Sequence, residues 1–439
     1  MARKRREPEV AGISAATHDG RGIAAVDGKK VFVAGALPGE TVRFQRRKRR
    51  RNFDEAELLE VLEASPERVT ARCDVYGRCG GCSLQHVSIE SQRNIKEQSL
   101  RDSLERIGRT APDEWLPPLI GSEWHYRRRA RLAVKDVAAK GRTLVGFRER
   151  HAPFITDMRR CEVLRRPVDS LIEPLSELIG SLSIRARLPQ IEVAVADNAL
   201  ALVLRILDPL SEDDERRLRE FAGRHEVWVY LQPGGLDSIV RLVPEGAGEL
   251  TYDLPEFDIN IVFEPVDFVQ INSEINERMI SLALTLLEVE PEHRVLDLFC
   301  GIGNFSLPLA RRAASVLGIE GETSLVERAR HNARRNGLAN ADFRCADLAA
   351  IDGTESWLEA GCDRLLLDPA RSGAEAVVRQ IGLLDPERLV YVSCHPGTLA
   401  RDAGILVHEQ GYRLLAAGII DMFPHTAHVE SITVFSKQN

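Results

Sequence analysis

The stretch VLDLFCGIGNFSLPLA, residues 295–310, decides the fold of this chain. It joins a short apolar run to a glycine turn and then to a helix-like segment. Gly301 and Gly303 let the backbone turn tightly and let a ligand come close to it. A dinucleotide-binding fingerprint would place a third glycine where Ser306 stands, so the turn disfavours nicotinamide cofactors. The pattern predicts the first strand, turn and helix of a doubly wound α/β domain.

The sequence around this stretch alternates between strand-like and helix-like segments from about residue 260 onward. Six runs have the composition of buried strands: RVLDLF, SVLGIE, ADFRCAD, RLLLDPA, LVYVSC and SITVFS. Helix-like segments lie between them, including SLVERARHNARRNG, which closes at Gly337. We therefore predict a parallel, Rossmann-like sheet whose ligands bind beyond the carboxyl ends of its strands.

Acidic residues stand at several of these strand ends. Glu320 ends the second strand, where an acidic side chain typically accepts hydrogen bonds from ribose hydroxyls. Asp347 ends the third strand, in place to accept from an adenine amino group, and Asp368 ends the fourth. The alternative for each is a helix N-cap. A nucleoside ligand is favoured, and S-adenosylmethionine fits because it has a ribose and an adenine but no phosphates. Arg371 is a candidate for holding an RNA phosphate, the alternative being a surface ion pair.

A lone cysteine follows the fifth strand in LVYVSCHPGTLARD, residues 389–402. The strand-end rule places Cys394 at the ligand-binding edge, next to backbone N–H groups that would lower its pKa. The alternative is an inert buried thiol. Three other cysteines are expected to be small core residues: Cys300, Cys345 and Cys362.

A second group of cysteines has the spacing of a metal site. Cys73, Cys79 and Cys82 lie within ten residues, and Cys161 is available as a fourth ligand. Four thiolates suit either zinc or an iron–sulfur cluster, and the spacing leaves both open. A disulfide framework is not expected in a chain of this size in a reducing compartment.

Positive charge is concentrated at the start of the chain. The net charge is −7, yet residues 1–51 hold 14 Lys or Arg and 5 Asp or Glu, which gives 14 − 5 = +9. Residues 10–63 are short apolar runs separated by turn signals, typical of a small OB-like β-barrel of the kind that binds oligonucleotides. The basic run at residues 46–51 favours contact with a nucleic-acid backbone, the alternative being a solvated loop.

The remaining segments indicate a mixed central region in a cytoplasmic protein. Residues 120–258 are mainly strand-like, with one helix-like stretch and an arginine-rich run at residues 125–134. No apolar run reaches the roughly 18–20 residues of a membrane helix, and no apolar stretch follows the basic start as in a secretory signal. We expect no membrane partner.

Motifs along nearly the whole chain resemble those of the bacterial RNA uracil-5 methyltransferases. The most similar type acts on 23S rRNA and carries a TRAM domain and an iron–sulfur cluster. The motifs, in order, are THDGRGIAAVDGKKVFVAGALPGE, CDVYGRCGGCSLQH, RRCEV, FVQIN, DLFCGIGNFSLPLA, LLLDPARSGA, VSCHPGTLARD and DMFPHTAHVES. His395 is a departure, because asparagine is expected there. The resemblance implies an OB-like TRAM barrel at 1–65, a mixed α/β central domain with the cluster at 66–90 and 120–258, and a methyltransferase domain at 91–119 and 259–439.

The same resemblance implies roles for individual residues. Cys394 would be the nucleophile and Glu430 the general base. S-adenosylmethionine would be contacted by Gln270, Phe299, Asn304, Glu320, Asp347 and Asp368. A [4Fe–4S] cluster would be held by Cys73, Cys79, Cys82 and Cys161. The substrate would be one flipped or unpaired uridine of 23S rRNA, and the protein a monomer. The alternatives are a tRNA uracil-5 methyltransferase and an inactive RNA-binding or chaperone protein.

Overall fold

The computed structural model describes residues 7–17, 19–246 and 248–438. The basic residues at positions 3–6, part of the predicted polyanion-binding end, lie outside this range. The described chain forms two compact units, each discontinuous in sequence. The first unit contains the chain up to Ser99, Arg148–Phe154 and Phe423–His428. The second contains Leu100–Phe147, Ile155–Met422 and the chain from Val429. The division into three domains stays a prediction.

The first unit is built on a six-stranded sheet. Its strands are β1 (Glu9–Gly12), β2 (Ala15–Ala16), β3 (Gly22–Val26), β4 (Lys29–Ala34), β5 (Thr41–Arg49) and β6 (Phe53–Glu63). Their order is β1-β5-β6-β4-β3-β2, antiparallel except for the β4–β6 pair. Every second side chain is buried, as Val31 and Val33 in β4 and Val42 and Phe44 in β5 show. The predicted β-rich start of the chain is confirmed.

The basic run at residues 46–51 lies along β5 and the turn into β6. The Arg46 side chain is only 9% exposed and forms ion pairs with Glu9 at 2.7 Å and Asp54 at 2.6 Å. Because buried charges need partners of opposite sign, this arginine has a structural role. Its exposed neighbours Arg47 and Lys48 each lie beside an acidic residue of β6.

A long helix leads from the first unit to the second. It is α1 (Ile89–Ser103), and a π-helical turn at Leu104–Gly108 continues it. Leu100 and Leu104, four residues apart, are buried, whereas Ile107 is 54% exposed. The wider π turn rotates Ile107 away from the apolar face. The short strand β7 (Glu114–Trp115) follows.

The second unit contains one sheet from the central part of the chain. Its strands are β8 (Arg129–Val137), β9 (Arg142–Gly146), β10 (Gln190–Val195), β11 (Leu200–Arg205), β12 (Val227–Gln232) and β13 (Val240–Val243), in the order β13-β12-β11-β10-β8-β9. Two helices accompany them, α2 (Ile172–Ser181) and α3 (Glu212–His225). Helix α3 was not predicted, although the capping box of Ser211 and Asp214 marks its start. A separate pair, β14 (Leu250–Leu254) and β15 (Ile259–Phe263), follows.

An eight-stranded sheet carries the predicted α/β pattern. Its remaining elements are α4 (Ser273–Leu287), β16 (Arg294–Leu298), α5 (Ser306–Ala310), β17 (Ser315–Glu320), α6 (Thr323–Arg335), β18 (Ala341–Cys345), β19 (Arg364–Leu367), α7 (Glu375–Arg379), α8 (Ile381–Leu384), β20 (Arg388–Ser393), α9 (Pro396–His408), β21 (Tyr412–Ile420) and β22 (Glu430–Lys437). The order is β18-β17-β16-β19-β20-β22-β21-β7. Strands β16 to β20 are parallel, which confirms the Rossmann-like architecture.

The last predicted strand differs from the expectation. The run SITVFS lies in β22, which pairs antiparallel with both β20 and β21, and β21 was not predicted. Only residues 421–429 connect β21 to β22. A parallel return needs a crossover of a dozen or more residues, so this short connection forces an antiparallel pair. The strand order reverses between β16 and β19, and this switch point defines the ligand-binding edge.

Candidate active site

The glycine turn after β16 forms one wall of the edge. Asp297 in β16 is fully buried, and its Oδ2 accepts a hydrogen bond from Ser306 Oγ at 2.5 Å. Burial raises its pKa to about 7. Phe299 has φ of 65°, a strained backbone for a large side chain and typical of functional sites. A Cβ added at Gly301 would have no atom within 4 Å, so no side chain covers the backbone at this position.

Glu320 ends β17 beside this turn, as predicted. Its Oε2 accepts from the Gly301 N–H at 3.1 Å, and its Oε1 accepts from the Gly321 N–H at 2.7 Å and the Glu322 N–H at 3.2 Å. Three backbone donors fix the carboxylate in one orientation. A carboxylate held in this way can accept further hydrogen bonds from a diol.

Asn304 is held by two residues that the sequence analysis missed. Its Oδ1 accepts from Tyr252 Oη at 2.9 Å and from Asn276 Nδ2 at 3.0 Å. Its own Nδ2 donates to Asn276 Oδ1 at 2.9 Å. These contacts fix the amide of Asn304 at the start of the helix after the glycine turn. No local sequence signal marks Tyr252 or Asn276, because both are distant from Asn304 along the chain.

The other predicted cofactor residues differ in exposure. Gln270 is half-buried in the connection between β15 and α4. Asp347 is exposed two residues beyond β18, and its Oδ1 accepts from the Ala349 N–H at 2.9 Å, a turn contact. Asp368 directly follows β19, and its N–H donates to the Leu298 carbonyl at 3.4 Å. Burial raises the pKa of Asp368 to about 7.

Cys394 and Glu430 are brought together by the antiparallel pairing of β20 and β22. Ser393 pairs with Ser431, so the next positions along the two strands are Cys394 and Glu430. Glu430 is 4% exposed, and burial, followed by the charge of Asp368, raises its pKa to about 8. The two predicted catalytic residues therefore meet at the edge.

The expectation that Cys394 has a lowered pKa is wrong. Burial of the half-buried thiol, together with the charges of Glu430 and Asp368, raises its pKa to about 11. The positive charge of Arg371 lowers the pKa of the thiol and so offsets part of this increase. The backbone N–H groups invoked from the sequence do not outweigh two nearby carboxylates, so the thiol is protonated at neutral pH.

His395, which departs from the family pattern, caps α9. Its Nδ1 accepts from the Thr398 N–H at 3.2 Å, satisfying one free donor of the first helical turn. The Ser393 hydroxyl accepts from the His395 N–H at 3.2 Å. Asparagine is also a good N-cap, so the substitution keeps the turn that carries Cys394.

A buried network joins α9 to the loop after β19. Asp402 is fully buried, and its Oδ2 accepts from the Tyr391 hydroxyl and from the Ala374 N–H, both at 2.7 Å. The Thr398 hydroxyl donates to the Arg371 carbonyl at 3.2 Å. Neither Tyr391 nor Asp402 was predicted as a site residue. Their bonds fix the loop of Asp368 and Arg371 relative to the helix that follows Cys394.

The three cysteines predicted to lie in the core differ in burial. Cys300 and Cys362 are buried, as predicted. Cys345 is exposed, and its thiol donates to the Gly321 carbonyl at 3.5 Å. The core prediction was wrong for Cys345 because it ends β18, the edge strand of the sheet.

The other cysteine group lies partly in a turn-rich segment of the first unit. Cys79 is buried and Cys73 and Cys82 are half-buried there, while Cys161, also buried, belongs to the second unit. The Gly81 N–H donates to Cys79 Sγ at 3.4 Å. Within residues 7–17, 19–246 and 248–438, no group of three or more His, Cys, Asp or Glu is positioned to hold a metal ion. The metal centre therefore stays a prediction from the spacing. No helix in the described part of the chain is long and apolar enough to cross a membrane.

Comparison with known proteins relates the chain to RNA-modifying enzymes. A family model described as tRNA (Uracil-5-)-methyltransferase matches residues 254–438. The chain is 49% identical over 445 residues to the 23S rRNA (uracil(1939)-C(5))-methyltransferase RlmD of Xanthomonas campestris pv. campestris, with all of both chains covered. It is 52% identical over 443 residues to the protein of the same name from Alkalilimnicola ehrlichii, covering 100% of this chain and 99% of the relative.

A solved structure resembles the chain over nearly its whole length. It is the Pyrococcus abyssi tRNA (uracil-54, C5)-methyltransferase in complex with S-adenosyl-L-homocysteine. The TM-score is 0.76 at 25% sequence identity, and the match covers 97% of this chain and 99% of the other. The fold described above is thus the fold of that protein.

Proposed function

The chain belongs to the RNA uracil-C5 methyltransferase family, and from this premise we propose that it methylates C5 of one uridine in 23S rRNA. The proposed uridine is the one numbered 1939 in the names of its relatives. The observation that carries the proposal is the meeting of Cys394 and Glu430 at the carboxyl edge of the sheet, the same edge at which β16 ends in the glycine turn. A single thiol and a buried carboxyl group are what C5 methylation of uracil requires.

S-adenosylmethionine fits the residues at this edge. When bound, it supplies an electrophilic methyl group. The Glu320 carboxylate is oriented to accept hydrogen bonds from the ribose hydroxyls. Asp347, exposed beyond β18, is proposed to accept from the adenine amino group. Gln270, Phe299, Asn304 and Asp368 are proposed as the remaining contacts.

The thiol is required because C5 of uracil is a poor nucleophile. We propose that the thiolate of Cys394 adds to C6, forming a C–S bond and pushing the electron pair of the C5–C6 double bond toward C5 and O4. The resulting enolate makes C5 nucleophilic enough to accept a methyl group. Since the free thiol is protonated at neutral pH, its proton has to leave first. Asp368, whose charge also raises the thiol pKa, is proposed as the acceptor of this proton, which leaves Glu430 free to act as the base in the second step.

The second step requires a base. After methylation C5 carries both a methyl group and its original proton. We propose that Glu430 removes this proton, after which the electron pair re-forms the double bond and expels the thiolate. A carboxyl group whose pKa is near 8 is well matched to abstract a proton close to neutral pH.

The target base has to be outside a helical stack to reach Cys394. C6 and C5 are not accessible to a thiol within a base-paired stack, so we infer that the uridine is unpaired or flipped out. We also infer that the protein acts in the cytoplasm, where ribosomal RNA is made. We propose that it acts as a monomer.

Methylation of unmodified RNA tests the substrate assignment. Incubation with labelled S-adenosylmethionine and 23S rRNA from cells lacking the modification should give about one methyl group per rRNA, whereas tRNA from the same cells should take up none. Mapping should place the group on a single uridine. Preferential labelling of tRNA would instead support the tRNA alternative, and no labelling of either RNA would support an inactive RNA-binding protein.

The cysteine spacing leads us to propose a [4Fe–4S] cluster. The donor set suits such a cluster, because three thiols lie within ten residues and Cys79 Sγ already accepts a backbone N–H. Hydrogen bonds to sulfur of this kind are common around iron–sulfur clusters. The fourth ligand implied by the family resemblance is Cys161. Methyl transfer needs no electron, so the proposed cluster would have a structural role.

Metal analysis tests the cluster directly. Protein purified without oxygen should be brown and should contain about four iron and four sulfide per chain. The Cys79→Ser variant should lose most of the iron, because one thiolate ligand is removed. The matched control is Cys345→Ser, whose exposed thiol lies at the end of β18, and it should keep the metal. Colourless protein holding zinc would overturn the assignment.

A further inference from the structure

A loop of the first unit presents an aromatic side chain to solvent. Phe154 ends the segment Arg148–Phe154, named here the arginine loop, and is 67% exposed. A single exposed apolar residue is common on protein surfaces and needs no explanation by itself. The surroundings of Phe154 distinguish it, because the loop is rigidly held and its neighbours are basic.

Hydrogen bonds within the arginine loop fix its shape. The Glu149 N–H donates to the Phe154 carbonyl at 2.9 Å, and Arg148 Nη1 donates to the Pro153 carbonyl at 3.1 Å. The loop is therefore closed on itself. A preformed loop loses little conformational entropy when a ligand binds.

The arginine loop is also anchored to the cysteine-rich segment of the same unit. The Gly80 N–H donates to the Arg148 carbonyl, and the Arg150 N–H donates to the Arg78 carbonyl, both at 2.9 Å. The side chain of Arg150 donates to the Cys82 carbonyl at 2.5 Å. The phenyl ring of Phe154 thus extends from a fixed base.

Several cations belong to the same face. Arg148 is exposed in the loop, next to the exposed and largely uncharged ring of His151, and the Arg78 side chain beside the loop is 55% exposed. The pKa of His151 is lowered first by burial and then by Arg150; Glu57 of β6 raises it, and Arg47 and Lys48 of β5 lower it further. The basic strand β5 and the arginine loop therefore share one electrostatic environment. Glu149, 3.8 Å from Arg78, offsets part of the positive charge.

We propose that the arginine loop binds an unpaired segment of the RNA substrate, with one base stacked on Phe154 and adjacent phosphates beside the cations of the loop. The inference rests on the proposed function, since it names a second contact site for the same RNA. Proteins that bind single-stranded RNA combine cations for the backbone with exposed aromatic rings for the bases. The combination fits RNA better than a protein partner.

Substitution of Phe154 tests the stacking contact. The affinity of the full-length protein for a 23S rRNA fragment containing the target uridine should fall roughly tenfold in Phe154→Ala, because stacking of one base on an aromatic ring is lost. Phe154→Tyr keeps a ring and should bind like the wild type. The turnover rate at saturating RNA should be unchanged in both variants. The matched control is Leu236→Ala, whose side chain is 65% exposed in the other unit, and it should bind normally.

A fluorescent variant gives a direct readout. Phe154→Trp should bind RNA, and subtraction of the wild-type signal should show quenching of the added indole by the bound base. Wild-type affinity in Phe154→Ala, or no quenching in Phe154→Trp, would overturn the inference. These binding data are independent of methylation, so a protein that methylates no rRNA would contradict the proposed function without deciding this contact.

Discussion

Replacement of Cys394 by alanine is expected to lower kcat/KM for rRNA methylation by a factor of at least about 10,000. The alanine variant removes the only group proposed to activate C5. Binding of S-adenosylmethionine should be unchanged, because the residues proposed to hold it lie on other strands and loops of the sheet. The rate should be measured with labelled cofactor, alongside a Cys345→Ala control in which an exposed thiol is removed from another strand end.

A trapped adduct identifies the thiol independently of the rate. RNA carrying 5-fluorouridine at the target position should become covalently attached to the wild-type protein after methyl transfer. C5 then carries a fluorine atom in place of the proton, and because a base cannot remove fluorine, elimination of the thiolate is blocked. Mass spectrometry should place the RNA on the peptide containing Cys394. An adduct that still forms in Cys394→Ala, or methylation that persists in this variant, would disprove the covalent mechanism.

Much of the α/β fold was predictable because its signals are local. The turn at Gly301 and Gly303 and the strand ends at Glu320 and Asp368 are each marked by a few adjacent residues. Parallel strands bring their carboxyl ends to one edge, so the rule for ligand position applied without knowledge of side-chain contacts. The antiparallel direction of β22 was not predicted, because the hydrophobic pattern of a buried strand does not encode its direction.

Other parts of the site depend on contacts that local patterns do not contain. Tyr252 and Asn276 contact Asn304 only because β14 and α4 pack near the glycine turn. The pKa of Cys394 is a clearer case. Helix and strand termini near a cysteine predict a lowered pKa, yet burial of the thiol raises it, followed by the charge of Glu430, which is 36 positions later in the sequence and opposite Cys394 in the sheet. Electrostatic effects of this kind require the three-dimensional arrangement.

Glu430→Gln is expected to stop the reaction after methyl transfer. The amide cannot accept the C5 proton, so the overall turnover rate should fall by a factor of about 100 to 10,000. Addition of the Cys394 thiolate to C6 and methyl transfer should still occur. The Glu430 carboxylate raises the pKa of Cys394, so its removal favours the thiolate and the addition to C6. Methylated RNA should therefore accumulate as a covalent adduct in this variant.

Denaturing gels with labelled cofactor distinguish the two outcomes. The label should migrate with the protein in Glu430→Gln and with free RNA in the wild type. Glu409→Gln, a substitution at an exposed carboxylate beyond α9, is the control and should release methylated RNA normally. Normal turnover in Glu430→Gln would assign the base to another group, with Asp368 as the first candidate because its charge also acts on Cys394.

The pH dependence of product release follows from the same carboxyl group. Burial raises the pKa of Glu430 to about 8, so the group is mostly protonated and inactive as a base at pH 6. Release of methylated RNA by the wild-type adduct should therefore rise about tenfold per pH unit between pH 6 and 7, and level off above pH 8 to 9. The slow release that remains in Glu430→Gln should lose this dependence. An equal slope in both proteins would show that a different group sets the rate, because only the wild type has a carboxyl group at position 430 that changes its protonation state in this range.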